Sequence, residues 1–283
     1  MRIGITGVNG FLGGVVYKTL GKIGHVVISL DSFTRKKCSD INIEGSNFTD
    51  FDWIIHFGSK TSIPDSHINP FLTYESNISS TLSALKIAEK TNSGFLFMSS
   101  FVYGSQQYSP IDEKHPVSAS NPYMSSKIIS EEICTQITKI KKIPLIILRG
   151  FNIYGDKLIP GRLISDLIIA KNNKEHLTIN DPHPNRDYLY IKDFVNLIAL
   201  IVNNFPIKTG IYNVGFGKVY SNLEVAKIFC ELIGESRKVR ITGEKRHHDI
   251  LNCPVDIRLI KKTFSWAPKF SLKQGLSDLL MRS

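Results

Sequence analysis

The sequence predicts a doubly wound parallel α/β sheet with a smaller, partly interleaved C-terminal lobe. Three observations lead there. Short apolar runs at 2–5, 26–30, 53–57, 95–98 and 144–148 are bounded by Gly, Asp or Pro, as strands buried on both faces are. Segments 11–22, 71–91 and 123–139, lying between them, carry helical spacing. A glycine run, Gly7 to Gly14, stands between the first strand and the first helix.

The elements follow in order. Arg2-Ile3-Gly4-Ile5 is interrupted by Thr6-Gly7, which fixes the end of the first strand. The helix at 11–22 follows the glycines, and the strand at 26–30 ends in Asp31. In 71–91, Leu72, Ile78, Leu82, Leu85 and Ile87 recur at three- and four-residue steps. Asn121-Pro122 opens the segment 123–139, as a cap and a first-turn proline do. Such βαβ alternation implies right-handed crossovers and a binding crevice at the carboxyl ends of the strands. After Tyr154-Gly155 the loops lengthen, and a strand-like Arg186-Asp187-Tyr188-Leu189-Tyr190-Ile191 precedes a helical stretch from Lys192. The expected division is a dinucleotide-binding domain over 1–155 and a substrate lobe over 156–283, with 187–216 returning to the first.

Composition narrows the class. The 283 residues, 42% hydrophobic and 21% charged, suit one or two domains with an ample core. No apolar stretch reaches the length of a membrane span, and Arg2 enters a strand directly, so neither a membrane partner nor a signal peptide is expected. Cys38, Cys134, Cys230 and Cys253 lie far apart without a CxxC, which argues against a metal site and for a reduced, cytoplasmic protein. The net charge of +10 is scattered in short groups without interleaved aromatics, so nucleic acid is not the expected partner.

Gly7, Gly10 and Gly13 are spaced three apart, a variant of the commoner GxGxxG. They permit a tight turn that brings a helix N-terminus against a pyrophosphate. Asp31, ending the second strand, can accept from adenosine ribose hydroxyls and would repel a 2′-phosphate. NAD is therefore favoured over NADP, although Arg35, Lys36 and Lys37 could reverse the preference. Two YxxxK matches occur, Tyr123/Lys127 and Tyr188/Lys192. Only the first lies in a helical segment, where i and i+4 share a face and an ammonium can lower a phenol's pKa. Ser99 ends the apolar strand Phe95-Leu96-Phe97-Met98. Ser99, Tyr123 and Lys127 together can move a proton while a nicotinamide moves a hydride.

These residues resemble the extended short-chain dehydrogenase/reductase family, in the branch that modifies nucleotide-activated sugars. Thr6 to Gly13 is similar to its TGxxGFxG, and Asp52-Trp53-Ile54-Ile55-His56-Phe57-Gly58-Ser59 to its DxVxHLAA strand. Asn77 matches the asparagine of NVxGT, and Ser99-Ser100-Phe101-Val102-Tyr103-Gly104 resembles SSxxVYG. Leu148 to Gly155 resembles LRxxNxYG, Arg186-Asp187-Tyr188 the RD[FY] element, Tyr212 to Gly215 YN[VI]G, Arg246 to Asp249 RxGD, and Trp266-Ala267-Pro268 WxP. The resemblance implies catalytic Ser99, Tyr123 and Lys127. It implies dinucleotide contacts at Gly7, Gly10, Phe11, Leu12, Gly13, Asp31, Ser32, Phe57, Gly58, Ser59, Asn77, Tyr123 and Lys127. A nucleotide-activated sugar would meet Ser99, Ser100, Asn152, Arg186, Arg246 and Asp249, and a homodimer is implied.

Three departures shape the expected reaction. Ser100 and Phe101 occupy positions where the family's dehydratases carry Asp-Glu, so dehydration and decarboxylation are not expected. The stretch between Asp31 and Asp52 is short, as in the small 4-keto reductases. Gly150 replaces a commonly aromatic residue, and His248 the Gly of RxGD. The leading expectation is NAD(P)H-dependent reduction of a 4-keto sugar nucleotide, 6-deoxy sugars included. The alternative is an NAD-dependent 4-epimerase, and a third is a non-catalytic member binding a dinucleotide or RNA.

Overall fold

A computed structural model of the chain describes residues 1–34, 50–204, 206–234, 239–244 and 252–282. Along the chain run β1 (Arg2–Thr6), α1 (Phe11–Lys22), β2 (Val26–Ser29), α2 (Asp31–Thr34), β3 (Trp53–His56), α3 (Ile63–Ile68), α4 (Pro70–Thr91), β4 (Gly94–Ser100), α5 (Pro122–Lys141) and β5 (Leu145–Gly150). Then follow β6 (Asn152–Tyr154), α6 (Leu163–Asn172), β7 (Thr178–Ile179), β8 (Asn185–Tyr190), α7 (Ile191–Val202), β9 (Gly210–Val214), β10 (Val219–Ser221), α8 (Asn222–Leu232), β11 (Arg240–Ile241), α9 (Arg258–Phe264) and α10 (Leu272–Leu280).

The described chain forms two compact units. The first comprises 1–104, 116–150 and 197–212, and the second 105–115, 151–196 and 213–283. The expected division at residue 155 therefore moves to Gly150, where β5 ends. The segment that returns to the first unit is 197–212 rather than 187–216, and 105–115 joins the second. The 105–115 insertion lies between β4 and α5, in a stretch that the period of apolar residues does not mark.

In the first unit the sheet order is β2-β1-β3-β4-β5-β9, and the pairs from β2 through β5 are parallel. Strand β1 connects outward to β2 and then the chain crosses to β3, so the direction of winding reverses between β1 and β3. Their carboxyl ends, Thr6 and His56, are register partners. All four residues of β3 are buried, as a strand covered on both faces requires. Ile54, Phe95, Phe97 and Ile147 pack with Leu85, Ala88 and Cys134 in one apolar cluster. Helices α4 and α5 have capped starts: Asn69 Oδ1 accepts from Leu72 N at 3.1 Å and Asn121 Oδ1 from Met124 N at 2.9 Å, each with Pro in the first turn. Each cap contributes about 1 kcal/mol. In the second unit β8 pairs β6 in parallel and β10 antiparallel, and β7 pairs β11.

Candidate active site

The glycine loop is built by close backbone approach. Gly7 has φ +74°, and a Cβ there would lie 2.8 Å from Gly58 N and from Phe57 C. One on Gly10 would sit 3.0 Å from Gly7 O, and one on Gly13 would strike the same oxygen. The loop thus folds onto itself and onto the end of β3. Helix α1 starts at Phe11 with Gly10 at the N-cap, no side-chain cap and no acid in its first turn. Helices α4, α5, α8 and α10 each have a side-chain cap. The free N–H groups of Phe11, Leu12 and Gly13 at an uncapped helix start suit an anion such as a pyrophosphate.

Asp31 begins α2 and faces this loop. Gly7 N donates to its Oδ1, and Asn9 Nδ2 to Oδ2 at 3.4 Å. Ser32 beside it is exposed. A carboxylate held there suits ribose hydroxyls and opposes a 2′-phosphate. Arg35, Lys36 and Lys37 lie outside the described residues. Replacing Asp31 by asparagine keeps an acceptor for Gly7 N–H and removes the charge. The expected result is a roughly tenfold fall in the ratio of NADH to NADPH affinity, read by cofactor fluorescence titration. An unchanged ratio would move the discrimination to the basic run at 35–37.

A buried polar chain fixes the loop to the helices behind it. His56 lies between Thr6 Oγ1 (2.7 Å from Nδ1) and Thr81 Oγ1 (3.2 Å from Nε2), with Phe95 and Phe97 stacked beside it. Thr81 Oγ1 donates to Asn77 O at 2.7 Å, so it must accept from His56 Nε2–H. Nδ1 is then the acceptor of the Thr6 hydroxyl, which itself accepts from Gly58 N at 3.0 Å. The ring is neutral in this arrangement. Burial, with the charge of Lys127, pushes its pKa down to about 3. Asn77, expected against the dinucleotide, hydrogen-bonds protein through its amide. Oδ1 accepts from Lys60 N at 2.7 Å, and Nδ2 donates to Lys60 O at 3.1 Å and Ser126 Oγ at 2.9 Å. Asn77 thus ties the backbone of Lys60 to α5 through Ser126, because a buried amide must satisfy both ends locally.

Helix α5 brings Tyr123, Lys127 and Glu131 to successive turns. Ser126 Oγ donates to Tyr123 O at 2.7 Å, and Tyr123 is half-buried. Lys127 is buried, and its Nζ donates to Ser59 Oγ at 2.7 Å and Met98 O at 2.9 Å, above the Phe97 ring at 4.7 Å. An ammonium has three donors, so one is left for a ribose hydroxyl. Burial lowers its pKa to about 8 against the nearby Cys134 and Glu131, which raise it. Ser99, at the end of β4, donates to Glu131 Oε1 at 2.5 Å. The neighbouring Ser100 hydroxyl is buried and has no hydrogen-bond partner, which fits a position that a ligand completes. The arrangement can hold a reacting oxygen beside an acid–base phenol and a fixed ammonium.

In the second unit, Asn152 begins β6 and donates from Nδ2 to Asp187 O at 3.1 Å. Arg186 on β8 donates from one terminal nitrogen to Asn185 O at 3.0 Å. The Asp187 carboxylate next to it is buried and accepts from Phe216 N and Gly217 N at 2.6 and 2.7 Å, and burial raises its pKa to about 7. Tyr188 lies on a strand and Lys192 on the next helix, where Lys192 pairs with Asp278 at 2.9 Å. The second YxxxK is therefore no acid–base pair. Arg246 and Asp249 lie outside the described residues.

Sequence reasoning missed Glu131 and the side-chain role of Arg149. Arg149 Nε donates to both Glu131 oxygens at 3.1 and 3.2 Å and a terminal nitrogen to Oε2 at 2.6 Å, with both residues buried. A signal was present: Glu131 stands four residues after Lys127, on a helix face that must be buried, where a carboxylate requires partners. Among the described residues no group of three His, Cys, Asp or Glu could hold a metal, and no helix is long and apolar enough to cross a membrane.

Comparison with known proteins shows the family and the fold. The chain is 28% identical to UDP-glucuronic acid decarboxylase 1 of Xenopus tropicalis over 99% of this chain and 71% of that protein. It is 25% identical to UDP-glucose 4-epimerase of Bacillus subtilis over 98% and 95%. Its fold matches UDP-glucuronic acid 4-epimerase of Bacillus cereus, solved with NAD, at a TM-score of 0.88 over 100% and 99%, with 22% identity. The model of the NAD dependent epimerase/dehydratase family matches residues 3–215, a span that contains the glycine loop, Ser99 and the Tyr123/Lys127 pair, so the chain belongs to that family.

Proposed function

We propose that the protein is an NAD-dependent 4-epimerase of a nucleotide-activated sugar. The observation that carries this is the Asp31 carboxylate set at the glycine loop by Gly7, which suits a resident NAD. The end-to-end likeness to a UDP-glucose 4-epimerase supports it. Bound nicotinamide supplies the site with a hydride acceptor and donor. Tyr123 takes the proton of the C4 hydroxyl and later returns one to the C4 oxygen. Lys127, fixed to Met98 O and Ser59, orients the dinucleotide ribose and holds positive charge beside the phenol. Ser99 contacts the C4 oxygen, and Ser100 the sugar. Arg186 and Arg246 grip the diphosphate, for which guanidinium forks are suited, with Asn152 and Asp249 completing the substrate contacts.

Net reduction of a 4-keto sugar nucleotide is the second reading. The short stretch between Asp31 and Asp52 favours it, and so do Ser100 and Phe101 in place of acids. One experiment separates the two. UDP-glucose, UDP-N-acetylglucosamine and UDP-glucuronic acid are each incubated with enzyme and no added reductant, and the products are followed by NMR. Interconversion of 4-epimers without net cofactor consumption is expected. If none forms, and 4-deuterated NAD(P)H is consumed stoichiometrically with a 4-keto-6-deoxy sugar nucleotide, the epimerase reading gives way to the reductase. With either activity we place the protein in the cytoplasm as a homodimer. Phe71, at 86% exposure at the start of α4, and Ile68, at 83% on α3, support pairing.

A further inference from the structure

We propose that Lys218 is a further binding residue for the substrate's diphosphate, set beside Arg186 on the open face of the three-stranded sheet β10-β8-β6. The proposal rests on the placement of Arg186 at that diphosphate, given above. Strands β10 and β8 pair antiparallel, with Val219 opposite Asp187 and Tyr220 opposite Arg186. Strands β6 and β8 pair in parallel, with Asn152 opposite Tyr188. Side chains alternate between faces along a strand, so Tyr220, Arg186, Tyr188 and Asn152 share one face. Asp187, Leu189 and Ile153 share the other, and all three are buried. Lys218 directly precedes β10, and its Nζ lies 5.0 Å from the centre of the Tyr220 ring, which puts it on the Tyr220 face. That face is open here: Lys218 and Asn152 are exposed, and Arg186 and Tyr220 are half-buried. Lys218 is thus the diagonal neighbour of Arg186, about 7–8 Å away and within reach of two long side chains.

Two cations at that spacing repel, and the residues around them on this face, Tyr188 and Tyr220, carry no negative charge. A diphosphate does, and its two phosphate groups can meet one cation each. Over a tyrosine ring the ammonium still has N–H donors to offer. The nearby acid Glu224 is committed to the α8 cap, where Ser221 N and Oγ donate to it at 2.7 and 2.8 Å. Those bonds, more than the charge of Lys218, hold its carboxyl below the usual range. The backbone beneath Lys218 is fixed from the other face. The Asp187 carboxyl oxygens accept from Phe216 N at 2.6 Å and Gly217 N at 2.7 Å, and the Lys218 N–H bonds this carboxyl too. Successive N–H groups closed on one carboxyl hold a turn in place. Because backbone makes these bonds, they survive a change of the Lys218 side chain.

The test is direct binding, which needs no turnover. UDP, dTDP and GDP are titrated calorimetrically into the NAD-loaded enzyme at about 0.05 M and about 0.5 M salt. At low salt Lys218→Gln should bind the preferred nucleoside diphosphate roughly tenfold more weakly than wild type, the scale of one charge-assisted contact. At high salt the gap should narrow, as it does for a charge contact and not for a misshapen turn. Lys218→Arg, which keeps the charge, should recover most of the affinity. NADH affinity should stay within about twofold of wild type in both variants. Equal affinity of Lys218→Gln and wild type for the nucleoside diphosphate, with Arg186→Gln weakened, would overturn the proposal and leave the Arg186 site standing. So would a loss that salt does not change. A loss that falls on NADH instead would assign Lys218 to the dinucleotide's own diphosphate and equally overturn it. If wild type binds none of the three nucleoside diphosphates, the placement of Arg186 falls, and this proposal with it.

Discussion

Replacing Tyr123 by phenylalanine is expected to lower turnover at least a hundredfold, roughly the effect of losing a positioned acid–base group. Fold and NADH affinity should survive. The argument begins with the helix. Asn121 caps α5 and Pro122 opens it, so Tyr123 sits in a first turn whose backbone is fixed independently of its hydroxyl. Ser126 bonds the Tyr123 carbonyl and not the phenol. Lys127, one turn on, takes its position from Met98 O and Ser59. Phenylalanine therefore removes one oxygen and leaves the capped helix start and the Lys127 bonds in place. Tyr188→Phe is the control, because the lysine four residues after it is paired with Asp278. It should leave the acid–base step intact. Steady-state turnover with cofactor titration reads both variants, and normal turnover by Tyr123→Phe would remove the residue from the mechanism.

Much of this site could be read in the chain because it depends on local chemistry. Gly7 and Gly13 declare a backbone that a Cβ would strike, and Gly10 one with little room for it, which explains why the three recur at that spacing. Ser99 could be placed because a strand of the Phe95–Met98 kind must be buried, which puts the next polar residues at the strand's carboxyl end. What could not be read depends on which side chains meet across elements. Asn77 was legible as a special residue on a helix, but only the fold shows that Lys60 and Ser126 occupy its amide. The place of Glu131, one turn after Lys127, calls for a buried partner, but nothing local names Arg149 as that partner. They become a buried pair only when α5 lies against β5, and no period marks that. The unit boundaries were missed for the same reason. Residues 105–115 join the second unit through a bridge from Ile111 to Val255, a long-range pairing that leaves no local sign.

Lys127→Met should separate activity from stability: turnover falls at least a hundredfold, while the melting temperature rises by a few degrees. Lys127 is an ammonium held 3% exposed, and burial is the largest cause of its fall from 10.5 to about 8. Such a shift corresponds to about 3 kcal/mol of unfavourable charge burial at neutral pH. Bonds to Met98 O and Ser59, and the Phe97 ring beneath, offset part of the cost of burying the charge. Methionine keeps most of the volume, removes the charge and leaves Met98 O without this donor, a loss of about 1 kcal/mol. The balance favours the variant by roughly 1–2 kcal/mol. The sign can be checked against pH. The folded-state pKa lies below the unfolded value, so between about 8 and 10.5 the unfolded chain holds more protons and stability rises with pH. Below 8 the full cost is present. Wild type should therefore gain stability across that window relative to Lys127→Met, which has no such group to relieve. Thermal melts of both proteins at pH 7 and pH 10 decide the matter. A lower melting temperature for Lys127→Met at pH 7 would mean that its hydrogen bonds outweigh the buried charge, making Lys127 a stabilising residue as well as a functional one.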